Sequence, residues 1–306
     1  MMKKIFKSLI LLLLPVSLSA QLIPVNDHYV LNPLVINPAY AGSRGALDIA
    51  LFYRRQWIGI EGAPETKTIA IDAPFLDSKL GLGLLITGDK VGVTKETKFL
   101  TSYAYRINMG DGQLSFGLGA GITTTNTAWS DLVVLDPGDE YYLIDSRVYL
   151  VPDFNFGIYY SHKNFFSGLS VPRLMEYKFD FQRNRYSSSF NPGQYQYLFN
   201  TGYSFTTGSK LRFIPSTLIS FSPGEKLLYD INSNLSINDR LWFGISYRNG
   251  RSVSALVQLA VSDQFRLAYT YDFDLGRLER YNNGSHEIML RYEFRYKVKA
   301  INPLMF

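Results

Sequence analysis

The sequence predicts an all-β protein, a transmembrane up-and-down antiparallel β-barrel of about 14 strands, and three observations carry that prediction. An export signal opens the chain, stretches of strict apolar–polar alternation follow it, and the connections between those stretches alternate between short and long. A tilted strand needs ~9–11 residues to cross a bilayer. Outer-membrane barrels of bacteria combine an even strand count with short periplasmic turns and longer extracellular loops.

The signal comes first. Lys3, Lys4 and Lys7 form a positive region, residues 9–14 with Val16 an apolar stretch, and Ser17, Ser19 and Ala20 offer cleavage after Ser19 or after Ala20. An uncleaved anchor is the alternative, but the apolar run falls short of the ~20 residues of a spanning helix. The expected organisation is a signal peptide over 1–20, a periplasmic pre-barrel segment over 21–45 and the barrel over 46–306. Removing the three lysines lowers the formal net charge from +5 to +2, and no polybasic run remains, which argues against a nucleic-acid partner. The absence of cysteine excludes disulfides, a thiolate metal site, a cysteine nucleophile and lipoprotein acylation. Only 19% of residues are charged, and 22 Tyr and 21 Phe stand against 3 Trp, an aromatic excess that suits pleated surfaces and membrane interfaces.

Alternation then locates the strands. Leu114, Phe116, Leu118, Ala120 and Ile122 oppose Ser115, Gly117, Gly119, Gly121 and Thr123; Ile288, Leu290, Tyr292, Phe294 and Tyr296 oppose Glu287, Met289, Arg291, Glu293 and Arg295. A soluble sandwich can show the same alternation. Strands are expected near 46–58, 65–75, 80–88, 97–108, 112–124, 152–161, 164–172, 194–206, 210–221, 226–236, 240–249, 251–262, 264–274 and 286–298. Long loops then fall at 59–64, 89–96, 125–151, 173–193 and 275–285, all on one side, which puts both termini in the periplasm; a sandwich gives no reason for that parity. Asn249 with Gly250 suits a type I′ turn. Asp48, Arg54, Asp72, Arg106, Arg248, Arg266, Asp272, Arg291, Glu293 and Arg295 are expected to face inward, where their balanced signs fit cross-lumen pairing or an ion path equally. The inward glycines Gly81, Gly83, Gly117, Gly119 and Gly121 make room either for something inside or for larger side chains of the wall.

Little in the sequence points to catalysis. Of the histidines, His28, His162 and His286, none belongs to a nucleophile elbow, and His286-Glu287 lacks the second histidine of a zinc motif. The protein is therefore expected not to be an enzyme, and no cofactor or metal is expected. Asp131, Asp136, Asp139, Glu140 and Asp145 form an acidic loop whose spacing matches no twelve-residue cation loop.

More specific are Asn37-Pro38-Ala39-Tyr40-Ala41-Gly42 and, further on, Arg55-Gln56-Trp57, Gly59, Gly62 and Pro64, followed by Gly168-Leu169-Ser170-Val171-Pro172, Leu241-Trp242, and Gly284-Ser285-His286-Glu287. The combination resembles the PorP/SprF family, outer-membrane proteins of the type IX secretion and gliding-motility system, across essentially the whole mature chain. One departure is the tail, where family members often finish Ser-Pro-Arg-Tyr-Phe and this sequence reads Asn302-Pro303-Leu304-Met305-Phe306. The resemblance implies support for secretion or surface attachment of a cargo, such as a large adhesin, through its C-terminal sorting domain. It further implies contact with outer-membrane lipid and with periplasmic lipoprotein or motor components of the system. A passive or substrate-specific diffusion channel is the alternative. Candidate partner-contact or family-motif residues are Asn37, Pro38, Ala39, Tyr40, Gly42, Arg55, Gln56, Trp57, Pro64, His286, Glu287 and Phe306. The segment 21–45 reads as a periplasmic strap, a plug, a docking arm or a tucked terminus.

Overall fold

A computed structural model describes residues 28–76, 78–132, 145–180, 185–208 and 210–294. The export signal, Asp136, Asp139, Glu140, Arg295, Tyr296 and Phe306 lie outside the described residues. The strands are β1 (Leu47–Arg55), β2 (Glu65–Phe75), β3 (Leu80–Val91), β4 (Thr94–Met109), β5 (Gly112–Thr127), β6 (Tyr149–His162), β7 (Phe165–Val171), β8 (Glu176–Asp180), β9 (Arg185–Ser189), β10 (Tyr197–Tyr203), β11 (Phe205–Thr207), β12 (Leu211–Phe221), β13 (Leu228–Ile237), β14 (Leu241–Arg248), β15 (Ser252–Ala260), β16 (Phe265–Asp274) and β17 (Ser285–Phe294).

Around the wall each strand pairs antiparallel with the next, and β1 pairs with β17 from Leu47↔Phe294 to Arg55↔His286. That last ladder closes the sheet, so no row of backbone N–H and C=O groups is left at an edge. Ser204 interrupts one stave, but β10 and β11 both pair with β12 and count as one. The closed wall therefore has fourteen staves, β1–β7, β10 with β11, and β12–β17, as the alternation predicted.

The two faces of the wall are chemically opposite. Along β13, Asp230, Asn232, Asn234 and Ser236 are buried while Tyr229, Ile231 and Leu235 are exposed. Leu118 is 61% and Ile245 64% exposed, whereas Ser115 and Ser102 are 2% exposed. An outer face of this kind is a continuous apolar belt, which water does not tolerate and a hydrocarbon layer does.

The connections at one end, 76–79, 110–111, 163–164, 208–210, 238–240 and 261–264, are short; the opposite end carries 56–64, 128–148, 172–196 and 275–284. Both β1 and β17 have their outer ends at the short-turn end. Three expectations need correction. No loop occupies 89–96: β3 and β4 run on to a tight turn at Gly92 and Val93, paired from Thr87↔Lys98 to Val91↔Thr94. Beyond a membrane both faces of a strand can be polar, so the apolar alternation that marks strands fades there. The connection expected as a plain loop at 173–193 holds the hairpin β8–β9. Asn249 and Gly250 do not form a type I′ turn; only Gly250 is left-handed (φ +65°), and Arg251 N–H donates to Arg248 C=O at 3.1 Å. The mirror-image turn forms instead at Asn238 and Asp239 (φ +54° and +53°).

Replacing Leu118 by Arg on the outer face should lower stability by roughly 2–4 kcal/mol if that face meets lipid at mid-depth. Denaturant unfolding in phospholipid vesicles measures this, and an unchanged midpoint would contradict the lipid-facing assignment.

Candidate functional site

The segment before β1 lies inside the barrel. A single helical turn, α1 (His28–Leu31), leads into two short 3-10 turns, Pro33–Val35 and Pro38–Tyr40. Each 3-10 turn starts with Asn followed by Pro for a local reason. The Asn32 and Asn37 side chains accept the Leu34 and Ala39 N–H groups at 3.2 and 3.0 Å, while proline occupies a position that needs no N–H donor. Both asparagines are 1% exposed, and Ala39 and Ala41 are fully buried. Of the readings left open for this segment, a plug matches residues 28–45.

Close approach to the wall explains the inward glycines. A Cβ at Gly117 would overlap Ala39 backbone, one at Gly81 would overlap Ala41 C=O, and Gly83 faces the Ala41 side chain. Gly119 and Gly121 have a different role, giving space to Asn155 and to the β4 backbone within the wall. Polar contacts complete the fit. Asn37 Nδ2 donates to Ile158 C=O at 3.0 Å, and the Ser170 hydroxyl donates to Ile36 C=O at 2.7 Å. Gly42 N–H donates to Asp72 at 2.7 Å, and Arg106 donates to both Ala41 C=O and Ser78 C=O. Tyr40 meets the ring of Tyr159 edge-on at 5.5 Å.

Buried charges hold the plug to the closing strands. Arg44 of the plug contacts Asp48 of β1 at 3.2 Å and Glu293 of β17 at 3.2 Å; Arg291 contacts Asp48 at 3.3 Å. Both arginines also donate to Leu31 C=O, at 3.1 and 2.8 Å. Across the lumen the Tyr29 hydroxyl donates to Asp230 at 2.9 Å, and Arg248 grips the same carboxylate through two contacts of 2.9 and 2.7 Å. Of the inward charges, Asp48, Arg248, Arg266, Arg291 and Glu293 are thus in ion pairs, while Asp72 and Arg106 bond to backbone groups of the plug.

A second cluster lies at the long-loop end of the β1–β17 seam. Arg54 bridges Asp272 at 2.5 Å and Glu287 at 3.1 Å. Trp57 N–H donates to the Ser285 hydroxyl at 3.2 Å, Ile58 N–H to Gly284 C=O at 2.9 Å and Gln56 N–H to Pro64 C=O at 2.9 Å. Trp57 adopts φ +48°, held there by these bonds. Arg55 sits opposite His286 on the outer face, where the imidazole lies 2.6 Å from the Tyr269 hydroxyl and against the Tyr271 ring. The structure therefore gathers Arg55, Gln56, Trp57, Pro64, His286 and Glu287 at one rim, and Asn37, Pro38, Ala39, Tyr40 and Gly42 in the plug.

At the same end, Asp153 is fully buried, with Lys98 Nζ at 2.7 Å and Arg173 at 4.0 Å. The hairpin residue Tyr177 packs beside Arg173, and burial, with Asp153 nearby, pushes its hydroxyl up to about 12. In the acidic loop, Ser130 N–H and hydroxyl both donate to Asp145 and hold its carboxyl below the usual range. Among the described residues no group of three His, Asp or Glu side chains could hold a metal ion.

Sequence reasoning missed Tyr29 and Arg44, two plug side chains that contact carboxylates of the wall. Neither carries a readable signal: the four-residue spacing of Arg44 and Asp48 implies contact only on a helix, and here it spans a turn and the start of β1, while Tyr29 lies 201 residues from Asp230.

A closed fourteen-stranded barrel with an apolar outer belt and an occupied lumen defines an outer-membrane β-barrel protein. The chain belongs to the PorP/SprF family of type IX secretion system membrane proteins, whose model matches residues 18–292. The solved structures it resembles are also outer-membrane barrels. The P. putida toluene transporter TodX has TM-score 0.52 at 9% identity, over 87% of this chain and 94% of that one. The Ralstonia pickettii toluene transporter TbuX has TM-score 0.51 at 10% identity, over 89% and 94%. The CymD monoaromatic hydrocarbon channel has TM-score 0.50 at 10% identity, over 89% and 94%. At such identities the likeness is one of fold alone. No curated protein matches the sequence.

Arg291→Met should cost about 3–5 kcal/mol, because it leaves Asp48 buried with only Arg44. Tyr29→Phe, which removes one hydroxyl donor to Asp230, should cost about 1–3 kcal/mol. Equilibrium unfolding in detergent orders the two; equal effects would contradict the assigned weights.

Proposed function

We propose that this barrel is a non-catalytic accessory of type IX secretion that holds or passes a specific cargo, such as a large adhesin, through the cargo's C-terminal sorting domain. The observation that carries the reading is the plug: Asn37, Ala39 and Ala41 are sealed against the wall and its glycines where a diffusion channel would keep water. In this reading the long-loop end faces the cell exterior and both ends of the chain face the periplasm. The extracellular surface then comprises the rim of Trp57 and Pro64, the β8–β9 hairpin and the protruding ends of β3 and β4. Periplasmic lipoprotein or motor components of the system would meet the short-turn end, and gliding motility would be affected where the cargo is a motility adhesin.

A second reading, a diffusion channel, draws on the fold likeness to proteins described as toluene transporters and a hydrocarbon channel. The two readings diverge in the cell and in planar bilayers. The accessory reading expects deletion of the gene to strip one class of sorting-domain protein from the cell surface, with the purified barrel showing no steady conductance. Retention of every such protein at the surface, together with reduced small-solute uptake, would overturn it in favour of the channel.

A further inference from the structure

The outer face changes character sharply towards the long-loop end of β1–β4. One rung of directly opposed residues, Leu290, Leu51, Ile69, Ile86 and Phe99 on β17 and β1–β4, is wholly apolar. Two residues further along each strand, a step of about 7 Å, Tyr53 and Lys67 stand beside Gly88. The next rung sets His286, Arg55, Glu65, Lys90 and Lys95 side by side.

Charge is unbalanced on this stretch of wall. The single carboxylate, Glu65, meets Lys67 at 2.9 Å, and the Lys67 ammonium also lies 5.7 Å from the centre of the Tyr53 ring. Arg55, Lys90 and Lys95 are exposed and form no ion pair among the described residues. Lys90 and Lys95 are directly opposite, where like charges repel, so an anion that bridges the rung lowers its energy. The patch is also local. At the same end of β12–β16 the outward strand positions hold Phe221, Tyr229, Tyr247 and Phe273. At the short-turn end of β2 and β4 they hold Phe75, Tyr105, Ile107 and Met109. A rim that served solubility alone would spread its charges round the barrel.

We propose that this patch binds the phosphate groups of a phosphorylated glycolipid of the outer leaflet, lipopolysaccharide, through Arg55, Lys67 and Lys90. The acyl chains then lie on the apolar rung, and the headgroup enters beside Gly88, where a Cβ would meet no atom within 4 Å. Arg55 can offer a phosphate two parallel N–H groups, whereas the lysines act as point charges. A phosphate monoester, with close to two negative charges at neutral pH, matches the surplus better than a carboxylate does. The proposal takes from the secretion reading only its orientation, with the long-loop end facing outward. Binding is measured on purified protein, so its failure is distinct from the retention of cargo that would overturn that reading.

The full-length barrel, stripped of bound lipid in detergent, is titrated with lipopolysaccharide, and bound molecules are counted by native mass spectrometry. Arg55→Ala, Lys67→Ala and Lys90→Ala should each weaken binding about fivefold. A variant with Lys79→Ala, Lys163→Ala and Lys210→Ala, all exposed at the short-turn end, should bind as the unaltered protein does. Equal weakening at both ends would mark diffuse charge attraction and overturn the proposal. Two further arms use the unaltered protein, so they stand even where a variant fails to assemble. Enzymatically dephosphorylated lipopolysaccharide, and separately phosphatidylglycerol, should each bind about tenfold more weakly than the phosphorylated glycolipid. Undiminished binding of the dephosphorylated lipid would reduce the contact to acyl-chain adhesion. Undiminished binding of phosphatidylglycerol would remove the preference for the outer-leaflet glycolipid. Either result overturns the proposal.

Discussion

The structure depends on one buried charge network at the seam where the barrel closes. Arg44, Asp48, Arg291 and Glu293 come from the plug, the first strand and the last strand, and two of them donate to the same plug carbonyl, that of Leu31. Charges inside a barrel are costly unless paired. Here each pairing also joins the plug or the first strand to a neighbouring element of the seam. The network can be satisfied only when β1 lies beside β17 and the plug lies inside, so strand closure and lumen filling are aspects of one condition. A barrel closed without its plug would leave Asp48 and Glu293 short of Arg44.

The same condition gives the plug its shape. The segment has almost no helix or strand of its own; two Asn-Pro starts form single 3-10 turns, and the remainder is moulded by the wall. Where Ala39 and Ala41 meet the wall, the wall is glycine, and where a plug carbonyl needs a donor, Arg106, Ser170, Arg44 or Arg291 supplies one. This is the complementarity of a packed core. The packing is confined to the side where the plug meets its glycines; a cavity of about 680 Å³ remains against β12–β17.

Much of the wall was legible in the sequence, because a membrane-spanning strand must alternate and the alternation of β5, β13 and β17 is nearly unbroken. The inward charges were legible for the same reason. Their partners were not, since Arg54 meeting Asp272 and Glu287 requires the register of strands more than two hundred residues apart. The polar extensions of β3 and β4 escaped because apolar alternation stops where lipid stops. The stretch from Asn37 to Gly42 stood out as a motif, yet its place inside the barrel follows from shape, which no periodicity encodes. At the rim, Trp57 and His286 lie far apart in the sequence. Only closure of the seam brings their loops together.

Amide hydrogen exchange across residues 33–42 of the assembled barrel is the most direct test of a sealed lumen. Ala39, Ala41 and Gly42 donate to Asn37, Pro38 and Asp72, and all three are buried. With the plug seated, their amides should exchange as slowly as those of the barrel strands. Exchange at the rate of an open loop would show that the lumen is not plugged, and would contradict the dependence of closure on the buried network.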